Sequence, residues 1–207
     1  ILQLSDFHKS IGTLSMNYAF SDKTNITGTF TAMDYDSDMR GSLDSAAFSN
    51  KDYSTPQSFT WRKVKTTRLK TQLNHTWRNN SQTSVALVYR ENSVGQNPSY
   101  RVRDDYRIIN GIRTGDKTLA HGEINDNSFN SYVAIVTHRQ QFLNDKLNTV
   151  SGVSFDYSPS TYNAWYIRIN QDSVSRKYTG YTERKDSLLS DYVTNISNAA
   201  AFTQLDY

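Results

Sequence analysis

From residue 13 to residue 34 apolar and polar positions alternate in two runs. Leu14, Met16, Tyr18 and Phe20 alternate with Ser15, Asn17 and Ala19, and Ile26, Gly28 and Phe30 alternate with Thr27, Thr29 and Thr31. A period of two is that of a β-strand, and the intervening Ser21-Asp22-Lys23-Thr24 has the composition of a tight turn. The same period predicts strands over 67–78, 83–91, 129–141, 147–157 and 193–207. In the first of these Leu69, Thr71, Leu73 and Trp77 oppose Lys70, Gln72, Asn74 and Arg78; in the second Val85, Leu87 and Tyr89 oppose Ala86, Val88 and Arg90. Over 147–157 Leu147, Val153, Phe155 and Tyr157 oppose Asn148, Gly152 and Asp156, whereas the faces of 129–141 are ambiguous. No stretch of useful length carries a helical period.

The connections predicted between these seven strands alternate in length. SDKT, NNSQ (79–82) and FLNDK (142–146) are short; 35–66, 92–128 and 158–192 are long. Long connections without structure of their own are uncommon in compact domains, and three of them on alternate hairpins leave the sheet at one end. Short turns at one rim, long loops at the other and strands of about ten residues describe an outer-membrane barrel. In hydrocarbon all backbone polar groups must pair, so a sheet that spans must close. The predicted fold is therefore all-β, an antiparallel up-and-down transmembrane barrel segment of about seven strands. Leu14, Met16, Tyr18, Phe20, Ile26 and Phe30 are expected to face lipid, and Lys70, Gln72, Asn74, Thr76 and Arg78 a wet lumen. A soluble β-sandwich or barrel shares the alternation and stays open at this point.

Composition sharpens this picture. Only 36% of the 207 residues are hydrophobic, and mean hydropathy is -0.69, yet aromatics reach 13%. Disordered chains are poor in aromatics, so the balance fits sheets with one wet face. There is no cysteine, which argues against a disulfide-stapled secreted domain. A net charge of +3 from 23 basic and 20 acidic residues is too mild for a nucleic-acid partner. No run of 18 apolar residues marks a membrane helix. The chain opens on Ile1 and closes on Tyr207 in a strand-like pattern, so residues 1–207 read as one partial barrel domain of a longer protein.

Candidate chemistry is sparse. The histidines His8, His75, His121 and His138 are scattered, without HExxH spacing, and GxSxG, P-loop and GxGxxG patterns are absent. No catalytic residue, metal site or cofactor is predicted, and the chain is not expected to be an enzyme. Asp34-Tyr35-Asp36-Ser37-Asp38 begins like a calcium loop, but Met39 stands where Gly is needed and Ser45 where Glu is needed, so it reads as the start of a polar loop. The sequons at Asn25, Asn74, Asn79 and Asn195 read as by-products of an Asn-, Ser- and Thr-rich chain. The most distinctive stretch is 89–107, YRENSVGQNPSYRVRDDYR. Arg101, Arg103 and Arg107 can pair bidentately with an anionic chelate, Tyr100 and Tyr106 can stack on it, and Arg90, near the start of the stretch, is a further ligand-binding candidate. The competing reading is a solvated loop whose Arg and Asp residues pair with each other.

The segments YRENSVGQNPSYRVRD (89–104) and SYVAIVTHRQQFLNDKLNTVSGVSFDYSPS (131–160) resemble the barrel domain of TonB-dependent outer-membrane receptors, most of all the Bacteroidetes-type receptors for siderophores and other iron chelates. The resemblance covers about 12–207. It implies a 22-stranded barrel around an N-terminal plug, import of a ferric siderophore or similar chelate, and partnership with outer-membrane lipid and, through a plug and TonB box absent from this sequence, the TonB complex. It implies location in the outer membrane of a Gram-negative cell. Seven strands would be a third of such a barrel. Other expectations that fit the residues are a passive porin-like barrel and a soluble glycan-binding module using Trp61, Trp77 and Trp165.

Overall fold

The computed structural model describes residues 6–39, 45–53, 59–98, 101–143, 146–175 and 177–207. Its strands in chain order are β1 (Phe7–Ser21), β2 (Thr24–Met39), β3 (Thr60–Thr76), β4 (Gln82–Asn97), β5 (Arg103–Asp104), β6 (Arg107–Ile109), β7 (Ile112–Thr114), β8 (Leu119–Phe142), β9 (Leu147–Gln171) and β10 (Tyr178–Asp206). One short helix, α1 (Ser45–Ser49), lies between β2 and β3. The main sheet runs β1-β2-β3-β4-β8-β9-β10, all antiparallel neighbours, with β5 added beside β8. The up-and-down antiparallel sheet expected from the alternation is what the chain forms.

All seven main strands are longer than their alternation indicated, and this corrects the connection lengths. Residues 158–171 and 178–192 belong to β9 and β10, so the third connection is only 172–177. The first and second shrink to 40–59 and 98–118, and the second contains the β6–β7 hairpin. That hairpin turns at Asn110 and Gly111, both at positive φ, as its two-residue turn requires. The short links fall where expected, although Asn144 and Asp145 of FLNDK lie outside the described residues. The Asp34–Asp38 stretch is strand rather than a loop start. Its alternate carboxylates pair with β3, Asp36 with Lys63 at 3.1 Å and Asp34 with Lys65 at 3.9 Å.

Because partners across an antiparallel ladder share a face, the register sorts every side chain. One row reads Leu14, Phe30, Leu69, Tyr89, Tyr132 and Tyr157. The next reads Met16, Gly28, Thr71, Leu87, Ala134 and Phe155, and the third Tyr18, Ile26, Leu73, Val85, Val136 and Val153. These three rows form an apolar band across the sheet. Glu91 stands one row above it, and Thr24, His75, Thr83 and His138 one row below. There the histidines bond to threonines, His75 to Thr24 at 2.8 Å and His138 to Thr83 at 2.9 Å. From Glu91 to Thr83 is about 27 Å along the strand at ~3.4 Å per residue, or about 20 Å along a membrane normal for a ~40° tilt, close to the ~25 Å apolar band of outer-membrane barrels.

The band is exposed. Leu14 is 71% accessible, Leu87 56% and Val153 56%, more open than the polar residues between them: along β9, exposed Val153, Phe155 and Tyr157 alternate with half-buried Ser154, Asp156 and Ser158. That inverts a soluble protein, in which the apolar stripe is the covered one.

A buried core does exist, but beyond the band. Ala120, Ile124, Ile167 and Ile169 are buried together, with Phe59, Trp61, Val102, Trp165, Tyr178 and Tyr181 packed against them. The cluster pins the long extensions of β8 and β9 to the second connection. Ile167→Ala should cost about 2–5 kcal/mol, felt locally. We expect faster protease cleavage within 98–118 and unchanged resistance of the apolar band; equal cleavage of variant and parent would remove the cluster's role as a clamp.

Candidate ligand-facing wall

The face opposite the apolar band is mostly polar, with Ala86, Val88, Val133 and Ile135 as an apolar patch. Thr13, Thr31, Arg68, Arg90 and Ser131 form one row, and Gln72 and Asn74 lie in rows below it. Asn74 donates to Asn25 at 2.9 Å and accepts from Gln72 at 2.9 Å and Ser84 at 2.7 Å. Arg68 and Arg90 stand directly opposite each other, an arrangement that destabilises a sheet unless anions answer it. Arg90 donates to Ser131 Oγ at 2.9 Å and lies 4.0 Å from Asp156 Oδ2, while Ser131 donates to Asp156 Oδ1 at 3.2 Å.

Higher on this face the second connection meets β8 and β9. Arg101 Nε lies 3.2 Å from Glu123 Oε1, and Arg103 pairs with His121 through the β5–β8 ladder. His121 Nδ1 is 2.5 Å from Asp105 Oδ1, and its ring meets that of Tyr166 edge-on at 6.5 Å. Arg101, Arg103, His121, Glu123 and Tyr166, with Leu189 from β10, line a pocket of about 160 Å³. Arg168 joins the same face as the ladder partner of His121, and four residues below Tyr166 the rings of Tyr162 and Tyr192 stack at 5.3 Å. On the other face Asp104 anchors β5, accepting from Tyr178 at 3.0 Å and Gln171 at 3.2 Å. Asp172, in the neighbouring connection, is held below the usual carboxylate range by the backbone N–H and hydroxyl of Ser175 and the N–H of Val174.

The structure therefore brings Arg101 and Arg103 together and sets Arg90 apart, eight residues along β8, about 27 Å lower. Tyr106 lies in the same connection, its ring under Lys117 at 5.1 Å. Arg107 pairs through its backbone with Thr114 in the β6–β7 hairpin, and Tyr100 lies outside the described residues. The alternation missed His121, Glu123, Tyr162, Tyr166, Arg168 and Tyr192. Tyr162, Tyr166 and Arg168, at even spacing, would have marked one face had β9 been followed past Tyr157. The tryptophans do not make one platform: Trp61 and Trp165 border the buried cluster, whereas Trp77 sits at the opposite rim, its indole donating to Thr83. Among the described residues no group of three or more His, Asp or Glu side chains is placed to hold a metal ion.

No family model and no curated protein sequence matches the chain. Its fold does match a chain in the structure of the FpvAI–pyocin S2 complex, with a TM-score of 0.65 and 13% identity over 97% of this chain. The match spans 28% of that other chain. At this identity the likeness is one of fold.

Proposed function

We propose that the chain is part of the barrel of a TonB-dependent outer-membrane receptor that imports an iron chelate of the ferric siderophore kind. The observation that carries the membrane reading is the exposed apolar band, bounded above and below by polar rows and backed by a mostly polar face. A soluble glycan module would bury that band. Among the described residues β1 and β10 each pair on one side, and in this reading they continue into further strands that close the barrel around a plug. A plug also separates the reading from a passive porin. The wording of 89–104 and 131–160 supports the Bacteroidetes-type group within the family.

In this reading β8, β9 and the second connection rise above the membrane and present the upper wall to the chelate. Arg101, Arg103 and Arg168 answer its anionic oxygens, and Tyr162, Tyr166 and Tyr192 offer ring faces. Arg68, Arg90 and Gln72 line the lumen below, where passage waits on plug movement driven by the TonB complex. The barrel itself makes and breaks no covalent bond. The test is ferric-siderophore binding by the full-length receptor carrying Arg101→Ala and Arg103→Ala. Each lost charge-assisted bond is worth about 1.5–3 kcal/mol, so affinity should fall by about tenfold to a hundredfold per arginine. Unchanged affinity would remove the upper wall from recognition. A full-length protein that stays monomeric and folded without detergent would overturn the membrane reading itself.

A further inference from the structure

We infer that the apolar band holds a seat for one acyl chain of a membrane lipid; the inference rests on the membrane reading above. A groove of about 380 Å³ is cut into the exposed face between Leu69, Leu87, Tyr89, Tyr132, Ala134 and Phe155. That volume falls within the range of small-ligand sites, about 300–1,000 Å³. Its origin is the middle apolar row, where small Thr71 and Ala134 flank Leu87 while bulky side chains stand above and to one side. The rings of Tyr89 and Tyr132 lie 5.3 Å apart, those of Tyr132 and Tyr157 6.3 Å apart, and they close the groove at its upper end.

The rim fixes which way an occupant lies. Tyr89 donates to Glu91 at 3.5 Å and Tyr157 to Asn195 at 3.1 Å. Tyrosines whose hydroxyls find polar partners above an apolar body mark the edge of the hydrocarbon layer. The groove therefore lies below that edge, with no charged side chain in its lining. Hydrocarbon is the matter that reaches this depth, and a chain with its carboxyl end at the tyrosine rim lies along the strands. The seat selects the chain and leaves the headgroup to the surface above.

The full-length protein in phosphatidylcholine nanodiscs, released and weighed by native mass spectrometry, tests this. Wild type should retain one phosphatidylcholine per protein. Ala134→Phe fills the groove and should lower retention by about tenfold, the equivalent of losing the burial of two methylenes. Met16→Phe, in the same row on β1 but outside the groove, should keep it. If Ala134→Phe does not assemble, Thr71→Leu fills the groove from β3 and is read the same way. Equal retention by wild type and the groove-filling variant, or none by wild type, overturns the inference. A protein that never enters the bilayer instead overturns the membrane reading on which it rests.

Discussion

Leu73→Arg is expected to cut assembly of the full-length protein into membranes by about fivefold to 30-fold, whereas Gln72→Arg, one residue away, leaves it near the parent level. The contrast follows from the register. Leu73 stands between Ile26 and Val85 in the third apolar row, with its side chain on the exposed face. Gln72 faces the other way, bonded to Asn74 in a polar row. A lysine or arginine on the lipid face costs about 2–4 kcal/mol at mid-membrane and about 0–1 at its edges. Leu73 stands one row above the polar His75–Thr83 row, so about 1–2 kcal/mol applies, and each ~1.4 kcal/mol is tenfold. On the lumen face the same guanidinium stays wet and joins Lys70, Arg68 and Arg90. Leu73→Asp should fall between the two, because a carboxylate costs less. Heat-modifiable migration of the membrane fraction reads the assembled share directly. Similar assembly of Leu73→Arg and Gln72→Arg would show that lipid does not touch the Leu73 face.

Where the strands cross the proposed hydrocarbon band, sequence alone was enough. Hydrocarbon on one side and water on the other impose strict alternation, so the rows through Leu14, Phe30, Leu69, Leu73, Leu87 and Phe155 were legible, and the turns after Ser21 and Trp77 with them. The ambiguity of 129–141 has a physical cause. Val133 and Ile135 lie on the face opposite the apolar band beside Val88 and Ala86, while Tyr132, Ala134 and Val136 lie in the band, so both faces of that strand are apolar. Above the band the signal vanished in two ways. At Arg62-Lys63 both faces are polar. On β9 the buried cluster covers Trp165, Ile167 and Ile169 on one face, while Tyr162, Ala164 and Tyr166 stand on the other, so apolar side chains occur on both. Backbone pairing continues regardless for many residues. That is why β9 and β10 were cut short, why the third connection was overlong, and why Tyr162, Tyr166 and Arg168 were not grouped. Arg101 and Arg103 were found because they stand in a stretch dense with arginine and tyrosine. Their partners Glu123 and His121 come from a strand start that no periodicity marked.

Gly152→Val should be the most damaging single change within β9, and removing its aromatic neighbour should not rescue it. Gly152 sits opposite Phe202 on β10 and Thr137 on β8. A Cβ at this position would lie 2.5 Å from Phe202 Cζ and 2.6 Å from the Val136 carbonyl oxygen. The ring is the end of a side chain, 45% exposed, and can turn away from the sheet. The carbonyl is part of the β8–β9 ladder and cannot move without opening it. Overpacking of this kind costs about 1–3 kcal/mol, more when backbone must shift, and in the proposed membrane setting the strand pair is one that the sheet must keep closed. Gly152→Ala already meets the carbonyl, so Gly152→Ala combined with Phe202→Ala should remain destabilised, whereas Phe202→Ala alone should be mild because that ring is half exposed. The comparison is made on the urea midpoints of the full-length protein in detergent. Full recovery in the double variant would place the conflict on the ring rather than on the Val136 carbonyl, and parent-like stability of Gly152→Val would mean that β8, β9 and β10 do not meet in this register at all.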